Sequence, residues 1–521
     1  MKNLKKNHSS AEDPRSTTAS SSVQDFLPDE SPDSLRILYG TAEAEPLVKI
    51  GGLGEVSGAL PLALRRLGVD VRLLIPAYRG VIEALQGEPV GEPFQVIPGV
   101  EEPAQLFLGR MPAVEQPVYA IACPALYDRD GGPYTDPDGE GWPDNALRFG
   151  VLSKVAALFG STTGLAGWSA DVIHCNDWHT GLAPAYLMHD RRARARSLIT
   201  VHNLTFQGNF PAELLSTLGL PKSCFIIDGV EFYGQLSFLK AGLYYADYLT
   251  TVSPGYAREI QTPEFGFGLE GLLVHRRNRL TGILNGIDST QWDPQQDPYL
   301  PARFGPQDLI GKAVNKQLLQ ERLGFKANAE TIVVGMVGRF TYQKGVDLIL
   351  GVAEELLKQP VQLVILGSGD RHYEIEWSRF AWDHPENVSV TIGYDVALAH
   401  LIEAGADLFL MPSRFEPCGL NQMYSMRYGA PPVVRRTGGL ADSVVDTTPR
   451  TLLDGTATGF VFENANTAEL LACIFRALLA FQDRKTWQKI QYNGMLKNFD
   501  WETSANQYLK IYQALAPTKA D

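Results

Sequence analysis

The chain has 521 residues, 45% of them hydrophobic, with 46 Lys and Arg against 59 Asp and Glu and a net charge of −13. This balance excludes a nucleic-acid binder, which needs a basic face to replace counterions, and no run of about 18 apolar residues is present to cross a membrane as a helix. The length is too great for one core and implies two domains of ordinary size.

Residues 1–34 are Ser/Thr-rich with mixed charge and read as a disordered tail, with neither the apolar centre of a signal peptide nor the composition of a transit peptide. Order begins at the apolar strand 35-LRILYG-40. A long connection, 41-TAEAEPLVKIGGLGEV-56, leads into a helix with Leu60, Ala63, Leu64 and Leu67 on one face, then strand 69-VDVRLLIP-76. Strands 117-PVYAIAC-123, 171-DVIHC-175, 197-SLITVHN-203 and 247-DYLTTVS-253 follow, separated by helices such as 145–160. Such alternation predicts a parallel sheet covered on both faces.

After the polar stretch 288-DSTQWDPQQDPYLPARFGPQD-308 the rhythm restarts. It runs through strand 331–339, helix 345–359, strands 361–369 and 388–394, helix 395–406 and strand 407–413. The expected division is therefore an α/β domain over 35–290 and a second over 291–500, joined near 286–300. A C-terminal amphipathic helix over 501–516 has Tyr508, Ile511, Tyr512 and Leu515 to bury, and it would cross back to the first domain. Ligands of doubly wound sheets sit outside the carboxyl ends of the strands, so the cleft between two such sheets is the expected site.

Six loops at those ends carry chemistry. Lys49 precedes Gly51, Gly52 and Gly54 between a strand and a helix, where glycines admit a ligand to free N–H groups; the same pattern also makes a plain tight turn. The spacing is neither GxGxxG nor a Walker loop. Arg339 and Lys344, on one loop, suit a pyrophosphate leaving group, or are two solvated cations. His179 in 174-HCNDWHT-180 and His202 in 201-VHNLTFQG-208 follow successive strands. His174, His179 and His202 lack the thiol or carboxylate that would complete a zinc set, so no metal is expected. Glu416 and Cys418 stand at a helix entrance, where Glu416 is either a helix-terminal carboxylate or a ligand group. Gly438-Gly439 follow a strand and make a turn or donate amides to a phosphate. No nucleophilic Ser or Cys with a partnered base is visible, and the five scattered cysteines fit a reducing cytoplasm.

In this order 49-KIGGLGEVSGALP-61, 176-NDWHTGLAPAYL-187, 201-VHNLTFQG-208, 283-ILNGID-288, 338-GRFTYQKG-345, 412-PSRFEPCGLNQMYSMRYG-429 and 437-TGGLADSV-444 resemble the bacterial glycogen synthase and plant starch synthase family. The resemblance covers residues 35–516. It implies a GT-B fold and transfer of glucose, with retention, from ADP-glucose to the non-reducing 4-OH of an α-1,4-glucan. No cofactor or metal is implied, and neither nucleic acid nor membrane is a partner.

By motif match, Lys49 and its glycines, Asn285, Tyr394, Cys418, Gly419, Leu420, Thr437, Gly438, Gly439 and Leu440 would bind the nucleotide sugar. Glu416, His179, Arg339, Lys344 and Asp144 would serve catalysis, and Glu55, His202, Asn203 and Gln207 would face sugar. Many retaining GT-B enzymes carry a second glutamate eight residues after the first. Here that position is Tyr424, as in the glycogen and starch synthase branch, while Glu55 stands where the family usually has Asp. Other readings are a catalytically weak glucan-binding relative, a UDP-glucose enzyme, or a phosphorylase with lysine-bound pyridoxal phosphate. Oligomeric state is left open.

Overall fold

A computed structural model describes residues 34–516; the tail expected over 1–34 lies, save Ser34, outside the described residues. Nine strands form the first sheet. From one edge their order is Leu280–Gly282, Tyr248–Thr251, Arg196–Val201, Val172–Asn176, Arg36–Gly40, Asp70–Pro76, Pro117–Ala122, Ala104–Arg110 and Glu88–Phe94. The first seven are parallel, but Ala104–Arg110 runs antiparallel to both its neighbours. The sheet is therefore mixed rather than wholly parallel as the alternation suggested. The short link between Phe94 and Ala104 cannot accommodate a crossover helix, so the chain doubles back.

The second sheet is parallel, in the order Val388–Ile392, Val361–Gly367, Ile332–Val337, Leu408–Met411, Pro432–Arg435, Phe460–Phe462. In each sheet the first strand of the unit lies in the middle, with the chain departing first to one side and later to the other. Strand order thus reverses at Arg36–Gly40/Val172–Asn176 in one sheet and Ile332–Val337/Leu408–Met411 in the other, and crevices open there. The connections 41–51 and 177–181 leave the first crevice; 338–345 and 412–420 leave the second. This placement brings the candidate residues to facing loops.

The C-terminal helix Trp501–Leu515 returns to the first domain. Trp501, Ala505, Tyr508 and Tyr512 join its core, and the Tyr512 hydroxyl lies 2.6 Å from Nδ1 of the buried His174. His174 also meets Thr200 at 2.7 Å, so its two ring nitrogens are committed to structure. No helix among the described residues is long and apolar enough to cross a membrane.

Candidate active site

The Gly-rich loop is held from beneath by a residue that the sequence reading passed over. Oε2 of the buried Glu43 accepts from the amides of Ile50 (2.7 Å) and Gly51 (3.0 Å), and Oε1 accepts from the Tyr134 hydroxyl. The Gly51 amide is thus not among the free N–H groups expected at this helix start; among the described residues the Gly52 amide makes no hydrogen bond. Helix Gly52–Arg66 starts there. Beyond it, Lys49 Nζ lies 2.6 Å from Glu55 Oε1 and 3.1 Å from Glu45. Burial pulls the Lys49 ammonium down, but these carboxylates outweigh it and hold it above its ordinary range.

Tyr134 also stacks on His179, with ring centroids 4.8 Å apart and planes 24° apart, while Phe149 and Trp178 close the other sides. Burial, reinforced by nearby His202, lowers His179 to about 3, and His202 falls to about 3 by burial. Both rings are neutral at ordinary pH. Nδ1 of His179 is buried without a hydrogen-bond partner among the described residues.

Between these histidines stands Asp177, a second residue the sequence reading missed. Its φ of +54° lies in the left-handed region, a costly conformation for a non-glycine that gathers at functional sites. It accepts from the His202 amide at 2.7 Å, and burial pushes its carboxyl up to about 7 against two backbone amides. Asn203 does not offer its oxygen to a sugar, because Thr205 binds it through both N–H and hydroxyl. Gln207 instead ties loops together, donating to the Phe267 carbonyl at 3.1 Å and accepting from Asn209. Asp144 likewise meets no other candidate residue: it pairs with Arg129 at the start of helix Asn145–Phe159.

On the second domain, Lys344 and Glu416 form an ion pair of 2.5 Å, and Ser413 donates to the same oxygen at 3.0 Å. Among the described residues Oε1 of Glu416 takes no hydrogen-bond partner. The helix after Glu416 begins only at Asn421, so Glu416 is not the helix-terminal carboxylate one reading allowed; it belongs to the loop. Arg414 fixes that loop through two 2.7 Å contacts to Asp347 and by lying 3.6 Å over the Tyr342 ring. The exposed Arg339 makes no side-chain hydrogen bond or ion pair among the described residues. Cys418 is buried with its thiol pushed up to about 12 by burial, next to the Asn285 amide, so it remains protonated and is no nucleophile.

The expected phosphate amides at 437–440 are occupied. Gly438 N–H and the Thr437 hydroxyl both donate to Glu259 of the first domain, at 2.8 and 3.0 Å. Gly439 N–H donates to the carbonyls of Glu416 and Pro417, and Leu440 N–H to that of Thr437. These residues open the short helix Gly438–Ser443 rather than a bare turn. Among the described residues the amides of Gly419 and Leu420 instead make no hydrogen bond. Gly419 has φ +72°, and a Cβ there would come within 2.5 Å of Gln422 Oε1, so the backbone passes where a side chain has no room.

Besides Glu259, several contacts join the two halves, among them those of Gly255 and Arg258 with Asp442. Tyr424 donates to Glu55 Oε2 at 3.0 Å, Ser253 to the Pro417 carbonyl at 2.5 Å, and Phe267 faces Phe415. The exposed Tyr394 stands at the end of strand Val388–Ile392. Among the described residues no group of three His, Cys, Asp or Glu is placed to hold a metal.

Residues 36–275 match the family of the starch synthase catalytic domain, and residues 320–494 match the group 1 glycosyl transferases. A glycogen synthase of Nitrosospira multiformis is 51% identical over 497 residues, covering 95% of this chain and 100% of the relative. One from Nitrosomonas eutropha is 50% identical over 493 residues, covering 94% and 98%. Among solved structures, the catalytic domain of starch synthase IV from Arabidopsis thaliana, bound to ADP and acarbose, matches with a TM-score of 0.84 at 32% identity. That match covers 93% of this chain and 99% of the other. Sucrose-phosphate synthase from Thermosynechococcus elongatus shares the fold alone, with a TM-score of 0.56 at 17% identity.

Proposed function

The chain belongs to the glycogen and starch synthase family and is a glucosyltransferase that extends a glucan; from that premise we propose that its donor is ADP-glucose and its acceptor the non-reducing 4-OH of an α-1,4-glucan. The observation that carries this reading is the pairing of Lys344 with Glu416 at the mouth of one sheet, facing the Lys49–Glu55 pair of the other through Tyr424. A cation held against a carboxylate in each wall suits a ligand that is anionic at one end and rich in hydroxyls at the other.

In this scheme the diphosphate takes Lys344 and Arg339, aided by the free Gly419 and Leu420 amides and by Lys49. Its arrival competes with Glu416 for Lys344, and Glu416 then turns its oxygens to the glucose hydroxyls. The bond from the anomeric carbon to the diphosphate breaks while the acceptor oxygen bonds to the same carbon on the same face. The acceptor proton passes to the departing diphosphate oxygen. No protein nucleophile enters, and stabilisation of the leaving charge with alignment supplies the acceleration. The neutral His179, fixed by Tyr134, offers a hydrogen bond to the glucose without a charge to titrate. The 437–440 segment serves to hold the Glu416 loop. No metal or cofactor has a step here, and the five cysteines, all free and buried, accord with a cytoplasmic setting.

Donor competition tests this reading. With glycogen as acceptor, unlabelled ADP-glucose is expected to suppress incorporation from either labelled donor far more strongly than UDP-glucose does. Stronger suppression by UDP-glucose would overturn the donor assignment.

A further inference from the structure

We propose that Tyr233 and Phe267 form an aromatic track that holds the acceptor α-glucan on the lip of the first domain and leads it toward Glu416; this rests on the glucan-extending function above. Among the described residues only six non-glycines have positive φ, and two of them are these large aromatics, at +49° and +50°. The left-handed conformation is costly for a bulky side chain. Burial normally offsets such a cost, yet Tyr233 is 82% exposed and Phe267 40%. Each is followed by a glycine, Gly234 or Gly268, that adopts positive φ at no steric cost. Stability alone would favour glycine at 233 and 267 as well, so the rings are explained by what they present to solvent.

The two rings belong to one surface. The Tyr233 ring packs edge-on to Phe232, with centroids 4.7 Å apart. A Cβ on Gly268 would lie 3.3 Å from Tyr233 and 3.1 Å from Phe232, so the backbone next to Phe267 rests on this pair. The Phe267 carbonyl is fixed by Gln207 at 3.1 Å, and its ring faces Phe415 at 6.1 Å. Phe415 immediately precedes Glu416. Two ring pairs, Tyr233 with Phe232 and Phe267 with Phe415, joined through the Gly268 backbone, thus lead from solvent to the residue beside the Lys344–Glu416 pair. A neutral glucan chain, whose C–H faces cover aromatic rings while its hydroxyls stay wet, matches an uncharged track that ends at a sugar-directed carboxylate.

Tyr233→Gly separates this role from a structural one, because it removes the ring and the backbone strain together. The variant is expected to raise the glycogen KM by about tenfold, the size of losing one good ring contact. Its ADP-glucose KM and its kcat at saturating glycogen should stay at the parent values, its thermal midpoint should stay level or rise, and Tyr233→Phe should restore the glycogen KM. In native gels containing glycogen the parent should be retarded and Tyr233→Gly less so. Retardation is read without turnover, so failure of the track and failure of the synthase reading give separate results. An unchanged glycogen KM and retardation in Tyr233→Gly would overturn the track. So would a change of oligomeric state with retardation intact, which would assign the rings to a second copy of the chain.

Discussion

The Tyr424 hydroxyl of the second domain donates a 3.0 Å hydrogen bond to Glu55 of the first, whose other oxygen holds Lys49 at 2.6 Å. The position that carries a second glutamate in many retaining enzymes of this fold is therefore not simply missing a carboxylate. Its tyrosine grips one that comes from the opposite wall. The Tyr424 ring is itself fixed, stacked 3.9 Å from Trp292 of the interdomain segment, which stacks equally closely on His400. Asp297 ties His400 and Tyr428 to this cluster at 2.7 and 2.5 Å.

Tyr424→Phe keeps the stack and deletes only the donor. We expect a loss of turnover of roughly ten- to a hundredfold, the order of one hydrogen bond to a charged group, with thermal stability almost unchanged. Glu55→Asp shortens the carboxylate by one methylene and cannot keep both contacts, so it should impair transfer in the same direction. A gain of activity in Glu55→Asp would mean that the bridge restrains the enzyme rather than aligning it.

Arg339 and Lys344 share an assigned role but differ in their surroundings, and that difference separates their variants. Arg339→Ala should lower turnover by more than about tenfold and leave the thermal midpoint unchanged, since the side chain has no partner to lose. Lys344→Ala should lower turnover similarly and also destabilise, because the nearly buried Glu416 carboxylate keeps only Ser413. Equal thermal midpoints for both variants would contradict the ion pair; near-parental turnover in both would remove the diphosphate role.

The pH dependence of stability has two opposing sources near Asp177. Its carboxyl titrates near 7 when folded against an ordinary 3.8, so the folded chain holds the extra proton between those values. This contribution is full below about 4, is lost as pH rises to about 7, and is constant above. The buried His174 and His179 and the half-buried His202 have lowered values and act oppositely, since the unfolded chain binds their protons below about 6.5. Asp177→Asn removes only the first source. Relative to the parent, its thermal midpoint should be higher at pH 8 than at pH 5; the same offset at both would contradict the buried, protonated carboxyl.

Glu259 decides what the 437–440 segment does. With its carboxylate on Gly438 N–H and the Thr437 hydroxyl, Glu259→Ala should loosen the domain contact and lower stability, while the ADP-glucose KM stays as in the parent. A clearly lower donor KM would show that these amides receive phosphate once freed.

Much of this was legible because it is local. Apolar runs alternating with helices placed both sheets and the C-terminal helix, and each candidate loop emerges at a strand end as the pattern required. The edge strand Glu88–Phe94 and its neighbour Ala104–Arg110 escaped because Pro, Gly and Glu interrupt the first, and its pairing is with a strand met only later. Glu43 read as part of a polar loop; only folding shows it buried beneath Gly51, with Tyr134 brought to it from 91 residues away. Asp177 stands in a motif marked by its neighbouring histidine, and nothing in its own identity signals positive φ. Glu259 lies 179 residues from the glycine it binds, and no spacing rule links them.

The most direct test is incubation of the purified chain with glucose-labelled ADP-glucose and glycogen, followed by digestion with an enzyme that cleaves only α-1,4 links. Label is expected in the polymer, released by that digestion, with loss of incorporation in Glu416→Ala at unchanged folding. A well-folded chain that leaves the polymer unlabelled, or labels it equally in Glu416→Ala, would contradict that expectation.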